Sequence, residues 1–115
     1  MIFEIEESEG AVAIARVNGR VDTVTAPELS AAAIAAIDGG HASLVLDLSQ
    51  VEYVSSAGLK AFLTVAKHAD AQGGAMALCG LQEPVERVFR MAGFDAFLEL
   101  CATREEAARR AAPRD

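Results

Sequence analysis

The chain has no tryptophan, a single tyrosine and only two cysteines. Cys79 and Cys101 lack the close spacing of metal ligands and read as buried, reduced thiols packing as small hydrophobes. No apolar run approaches the roughly 20 residues of a membrane span, so direct membrane insertion is not expected. Positive charge is scarce: 10 Lys and Arg stand against 17 Asp and Glu, a net charge of −7. A nucleic-acid binder usually needs a basic face, whereas an acidic chain docks more readily on a basic protein surface. The opening Met-Ile-Phe-Glu-Ile-Glu-Glu lacks a signal peptide's basic start, which predicts a cytoplasmic protein. Neither a Gly-rich phosphate loop nor a metal-ligand cluster is present, so no cofactor or metal is expected.

What is present suits one folded unit. A chain of 115 residues buries roughly 65% of its unfolded surface, enough for an unaided core. The 52% hydrophobic content is rich in alanine and distributed over short periodic segments. Ile2–Glu6 alternates as a strand, Glu9-Gly10 reads as a turn, and Ala11–Val17 as a second strand, together an antiparallel hairpin. Asn18-Gly19 marks the strand's exit. Thr25 with Glu28 has capping-box spacing and Pro27 suits a first turn, which predicts a helix with Leu29, Ala33, Ile34 and Ile37 on one face. Asp38-Gly39-Gly40 ends it.

The chain is organised around the next stretch. Leu44–Asp47 is apolar and short enough for a buried strand, and Asp47–Glu52 is a polar connector. The segment 56–72 then carries Leu59, Phe62, Leu63 and Ala66 at helical spacing. Ser55-Ser56-Ala57-Gly58 forms the junction, with Ser56 expected as N-cap. Free N–H groups and a positive dipole end beside a hydroxyl make a place where a phosphoryl group can be carried. Further along, Ala75–Cys79 reads as a strand, and a helix opens at Glu83-Pro84 with Val85, Val88, Phe89 and Ala92 on one face and Gly93 just past its end. Phe97–Leu100 is a last strand, and Thr103 with Glu106 opens a terminal helix. The reading is one domain over 1–112 with a frayed tail at 113–115. Its fold is α/β: a hairpin, then alternating helices and strands in a mixed, mostly parallel sheet. If strands add in sequence order, the crossover helices share one face. Yet strands 11–17 and 75–79 are apolar on both sides, as in sheets covered twice.

Three segments resemble one family in order and at the right spacing. Gly19-Arg-Val-Asp22-Thr-Val-Thr25-Ala-Pro-Glu-Leu29 is similar to its Gly-x-Leu-Asp-x-x-Thr-Ala-x-x-Leu motif. Leu46-Asp-Leu-Ser-x-Val-x-Tyr53-Val-Ser-Ser56-Ala-Gly58-Leu59 resembles its strand, loop and Asp-Ser-Ser/Thr-Gly-Leu signature. Pro84-Val-x-Arg-Val-Phe-x-Met91-Ala-Gly93-Phe94 resembles its later helix. On these residues the chain is identified as a member of the STAS domain family, in the form of the bacterial anti-sigma-factor antagonists.

The resemblance implies a STAS-like sheet with helices mainly on one face, and a switch. In such antagonists a helix-start serine is phosphorylated by a partner that is both anti-sigma factor and serine kinase. The unphosphorylated form sequesters that partner, and a PP2C-type phosphatase resets it. Anchoring on Gly58-Leu59 places the phosphoacceptor at Ser56, with Ser55 where the family has aspartate and Ala57 where it has a second hydroxyl residue. Asp22 and Asp47 match positions near the acceptor. The partner surface is then expected over Asp22, Thr23, Thr25, Ser55, Ser56, Ala57, Gly58 and Lys60, on a monomer or weak dimer. The alternative is an unphosphorylated adaptor subunit of a phospholipid-transport ATPase or signalling scaffold.

The plainer readings are an unmodified cap for Ser56 and solvated, turn-forming carboxylates for Asp22 and Asp47. A serine hydrolase is disfavoured: Gly-x-Ser-x-Gly is absent around Ser56, and neither His41 nor His68, both expected isolated and exposed, has an evident acidic orienter. Arg87 and Arg90 read as the solvated face of their helix.

Overall fold

In the computed structural model, which describes residues 1–113, alternation of apolar and polar segments becomes a five-stranded sheet. The elements are β1 (Ile2–Glu9), β2 (Val12–Val21), α1 (Ala26–Asp38), β3 (Ser43–Val54), α2 (Ser56–Ala71), β4 (Met76–Cys79), α3 (Glu83–Met91), β5 (Glu99–Cys101) and α4 (Arg104–Ala111). A single 3-10 turn, Phe94–Ala96, lies between α3 and β5. Strand order is sequential, β1 to β5. Only β1 and β2 are antiparallel, joined at Gly10-Ala11, where Gly10 takes φ 61° as the first residue of a tight hairpin turn often does. Apart from Pro113, the tail expected to fray lies outside the described residues.

The two-sided apolarity of β2 and β4 is explained by two layers of helix. Leu44, Leu46 and Leu48 of β3 share one cluster with Leu29 of α1, Phe62 and Val65 of α2, and Phe89 of α3. Val45 points the other way, into a smaller cluster with Ile14, Ala77, Cys79, Cys101 and the α4 alanines Ala107 and Ala111. The three crossover helices therefore share a face, and α4, which follows the last strand, covers the other.

Several boundaries differ from the sequence reading. β2 does not leave the sheet at Asn18-Gly19; it continues to Val21 with a register shift on each side of the Asn18–Gly19 pair. The supposed connector 47–52 is likewise strand, because β3 runs on to Val54 against that extension. Buried Val51 and Val54 anchor it while Glu52 and Tyr53 face outward, so pairing overrides the polar composition. The last strand begins at Glu99 rather than Phe97, because the Phe97 and Leu98 amides both donate to the Phe94 carbonyl and close the 3-10 turn. At Thr25 the expected capping box does not form, for reasons given below, although Pro27 does sit in the first turn. Thr103 does cap α4, its Oγ1 accepting from the Glu106 amide at 3.1 Å. On α3 only Val85 and Phe89 reach the core, and Val88 and Ala92 stay exposed. Gly93 at φ 78° ends that helix in the left-handed region.

One ion cluster ties α4 to the sheet. Arg104, at the first turn of α4, donates to Asp47 at 2.8 Å and to Glu7 at 2.8 Å, and also pairs with Glu6. Burial alone would raise the Asp47 pKa, but the Ser49 amide and the Arg104 guanidinium outweigh it and hold the carboxyl below its ordinary 3.8. A carboxyl depressed on folding contributes stability above its unfolded pKa and loses it as pH falls through the folded one. Asp47→Asn should therefore lower stability at neutral pH, and the deficit relative to wild type should vanish below the carboxylate range. Urea unfolding across pH checks this. In the main core, Phe62 is 0% exposed and its ring lies 5.5 Å from that of Phe89. Phe62→Ala should cost about 3–5 kcal/mol, read from the urea midpoint.

Candidate functional site

The extension of β2 and β3 past the main sheet builds the site. Val21 pairs with Val54 as the last rung, and the chain then diverges into the Asp22–Thr25 loop on one side and the Ser55–Gly58 turn on the other. The Ser55 amide donates to the Val21 carbonyl at 2.9 Å. Gly58 packs on the same carbonyl: a Cβ there would lie 2.7 Å from the Val21 oxygen and 2.9 Å from methyls of Val21 and Val54. That contact leaves no room for a side chain. The first two family-like motifs thus meet through one backbone carbonyl.

The junction differs from the sequence reading in one decisive respect. Ser55, not Ser56, is the N-cap of α2: its backbone is extended and its Oγ accepts from the Gly58 amide at 3.2 Å. Serine replaces the family's aspartate here but performs the capping that either residue can perform. Ser56 is the first helical residue and is exposed, so the reading of Ser56 as a structural cap is removed. The Leu59 amide already donates to the Ser55 carbonyl at 2.9 Å, which leaves the Ser56 and Ala57 amides without an intrahelical acceptor. Ala57 is half-buried, and Lys60, one turn on, is exposed.

The facing loop is cross-tied by its own hydrogen bonds. Asp22 Oδ1 accepts from the amides of Val24 (3.0 Å) and Thr25 (3.1 Å). The Thr25 amide bond is the main cause that holds the Asp22 carboxyl below its ordinary value, followed by an opposing desolvation and then the Val24 amide. Thr25 Oγ1 donates to the Arg20 carbonyl at 2.7 Å and accepts from the Asp22 amide at 2.9 Å. Its hydroxyl is thereby engaged inside the loop, which is why it caps nothing in α1. Thr23 is exposed at the loop's tip.

Asp47 does not join the group. It lies well back along β3, about 26 Å of extended strand before the turn, on the face covered by α4, and Arg104 engages its carboxylate. The expectation of Asp47 beside Ser56 is corrected accordingly. Three residues not singled out in the sequence do belong to this surface. Val24 is 84% exposed between two threonines, and Tyr53 is 42% exposed. The Arg20 guanidinium stacks over the Tyr53 ring at 4.4 Å, and its Nε lies 3.9 Å from the Asp22 carboxylate. Taking Asn18-Gly19 as the end of the strand hid the Arg20–Tyr53 pairing; the only signal was the chain's single tyrosine three residues before Ser56.

One of the two histidines is paired, whereas the Nδ1 of His41 is buried without a hydrogen-bond partner. His68 Nε2 lies 2.7 Å from Asp38 Oδ1, joining the ends of α1 and α2, and both His41 and His68 are half-buried rather than exposed. The acidic partner missing from the sequence thus exists, but His68 stands twelve residues along α2 from Ser56, about 18 Å of helix, too far to act as its base. Arg87 and Arg90 pair with Glu83 and Glu86 on the solvated face of α3, as expected. Among the described residues no three His, Cys, Asp or Glu side chains converge as a metal site would require, and no helix is long and apolar enough to cross a membrane.

A sheet extended to carry a capped serine turn against an Asp-Thr loop is the architecture of a STAS domain. The sequence model of that family, described as STAS domain, matches residues 3–107, and the chain belongs to it. Over 95 residues it is 39% identical to BtrV of Bordetella bronchiseptica, a protein designated an anti-sigma factor antagonist, covering 83% of this chain and 82% of that one. It is 28% identical over 102 residues to the anti-sigma-B factor antagonist of Bacillus subtilis, covering 89% of this chain and 92% of that one. A crystal structure of an anti-sigma factor antagonist from Mycobacterium paratuberculosis superposes with a TM-score of 0.83 at 27% identity, covering 96% of this chain and 92% of that one.

The two serines should separate in a stability assay. Ser55→Ala removes the cap of α2 and should cost about 1 kcal/mol, whereas Ser56→Ala should stay within about 0.5 kcal/mol of wild type. Gly58→Ala should cost about 1–3 kcal/mol, as overpacking does. Denaturant midpoints for the three variants check the set.

Proposed function

We propose that this protein is an anti-sigma factor antagonist: a binding switch that sequesters an anti-sigma factor with serine-kinase activity and is released when that partner phosphorylates Ser56. A PP2C-type phosphatase would return it to the binding form. The observation that carries this reading is the division of labour at the turn. Ser55 holds the helix start, so the Ser56 hydroxyl is exposed and can be modified without a structural cost. Identity to designated antagonists over most of both chains supports the coarser assignment.

The mechanism is electrostatic. A phosphate adds about −1.5 to −2 charges and three acceptor oxygens at neutral pH. At the first residue of α2 it meets amides without intrahelical acceptors and the positive end of the helix dipole, so the fold tolerates it. Lys60 lies one turn further on the same helix side, the spacing at which opposite charges interact. The penalty therefore falls on binding. A partner surface packed against the free turn must desolvate the phosphate or face it with like charge, which costs several kcal/mol, about a hundredfold in affinity or more. Asp22, held ionised by its loop amides, adds to that repulsion, and the net charge of −7 does nothing to offset it.

Ser56→Asp should keep the wild-type melting temperature and lose the partner; Ser56→Ala should bind but not respond to ATP; Ser55→Ala should remain modifiable. Mass spectrometry after incubation with the cognate kinase and ATP locates the phosphate. Phosphate on Ser55, or none with a partner that is active, would instead favour the unphosphorylated adaptor of a transport or signalling complex.

A further inference from the structure

The face of the sheet remote from Ser56 holds a feature that partner switching does not use. Cys79 of β4 and Cys101 of β5 are register partners on adjacent parallel strands. Both side chains belong to the cluster beneath α4, so they point to the same side of the sheet. Paired strands put their Cα atoms about 4.8 Å apart, inside the roughly 4.4–6.8 Å that a disulfide spans. The two thiols are free. They are 1% and 7% exposed, covered by Ala107 and Ala111 of α4 at 0% each. Burial, followed by the Asp47 carboxylate, pushes the Cys79 thiol up to about 12; burial, followed by Glu106, pushes Cys101 up as well. While α4 is seated the pair is therefore both covered and protonated.

Two features let the cover open and the sulfurs meet. α4 is only Arg104–Ala111, and its first turn is fastened by the side chain of Arg104 on Asp47, Glu6 and Glu7. β5 is a three-residue edge strand, Glu99–Cys101, paired on one side only. The bond from the Gly80 amide to the Cys101 carbonyl is long, at 3.3 Å. Short edge elements open locally at low cost, and β5 can yield the roughly 1 Å that brings the two Cβ atoms from strand spacing to the separation a disulfide needs.

The geometry points to Cys79 and Cys101 as an oxidant-responsive pair that closes into an intramolecular disulfide when α4 lifts, with Arg104 as the clasp that sets how often it does. With hydrogen peroxide as oxidant, the exposed Cys101 loses its thiol proton and the thiolate attacks one peroxide oxygen. The O–O bond breaks, and the leaving hydroxide takes up the proton as water, leaving Cys101 as the sulfenic acid. The Cys79 sulfur then attacks the Cys101 sulfur. The S–S bond forms as the sulfenic oxygen leaves with the Cys79 proton as a second water. The two sulfurs are together oxidised by two electrons, and the peroxide is reduced by two. The product pins β5 to β4 two residues before the Thr103 cap of α4.

The test is intact-mass spectrometry of the reduced chain in hydrogen peroxide, with non-reducing peptide mapping. The expected product has lost two hydrogen atoms and carries a Cys79–Cys101 cross-linked peptide; Cys79→Ser should instead gain oxygen atoms on Cys101. Arg104→Gln should form the cross-link about tenfold faster or more. Should that variant fail to fold, wild type in about 1 M NaCl, where the Arg104 pairs are screened, should show the same acceleration. Stepwise oxygen addition to wild-type Cys101 without the cross-link, or cross-linking at a rate indifferent to both Arg104→Gln and salt, would overturn the proposal.

Discussion

The carbonyl of Val21 is the point on which the site depends. It accepts the Ser55 amide, and it also closes the space beside Gly58. The first contact is backbone to backbone and the second requires a residue without a side chain, so the Asp22–Thr25 loop and the start of α2 are held in one relative position as long as Gly58 is kept. That position is delivered by the last rung of the β2–β3 ladder, Val21 against Val54. The lever is long: residues 18–21 and 50–54 reach beyond the part of β3 that pairs with β4. A surface tied by backbone and loop hydrogen bonds in this way has less to order when a partner arrives, which lowers the cost of binding. In the proposed switch, a charge added to it has its effect on the partner rather than on the fold.

Most of the fold was legible in the sequence because periodicity and termination signals agreed. The strands Leu44–Asp47 and Ala75–Cys79, the helix over 56–72 and the glycine closing α3 all had local causes, and local causes survive folding. The extension of β2 and β3 had none. Asn18-Gly19 resembles a turn, and Ser49 to Tyr53 is too polar for a buried strand; only their pairing with each other makes both extended. The failure of the Thr25 capping box has the same origin, since its hydroxyl found acceptor and donor within the loop, at Arg20 and Asp22.

The site was legible as a place but not in its division of roles. Gly58 and Leu59 point to Ser56 as the proposed acceptor, yet two adjacent serines offer no local signal for which one caps. The structure assigns that role through one bond, Gly58 N–H to Ser55 Oγ. Asp47 was grouped with the acceptor because it lies close in sequence; an extended strand carries it away, and alternation turns it to the side where Arg104 waits. The sheet therefore separates two charged environments. One is the solvated turn proposed to accept a phosphate, and the other is a closed cluster that fastens α4 over the cysteine pair.

The central claim is that the turn at Ser56 and the loop at Asp22–Thr25 form one surface for binding and switching. Backbone amide shifts of the labelled chain, recorded on adding the cognate kinase-type anti-sigma factor, test it most directly. The account predicts that the perturbed amides cluster at Thr23, Val24, Ser56, Ala57 and Lys60, and that they return to their free positions when ATP is supplied. Perturbations gathered instead on α4 and the β1 edge, with the Ser56 turn unmoved, would contradict it.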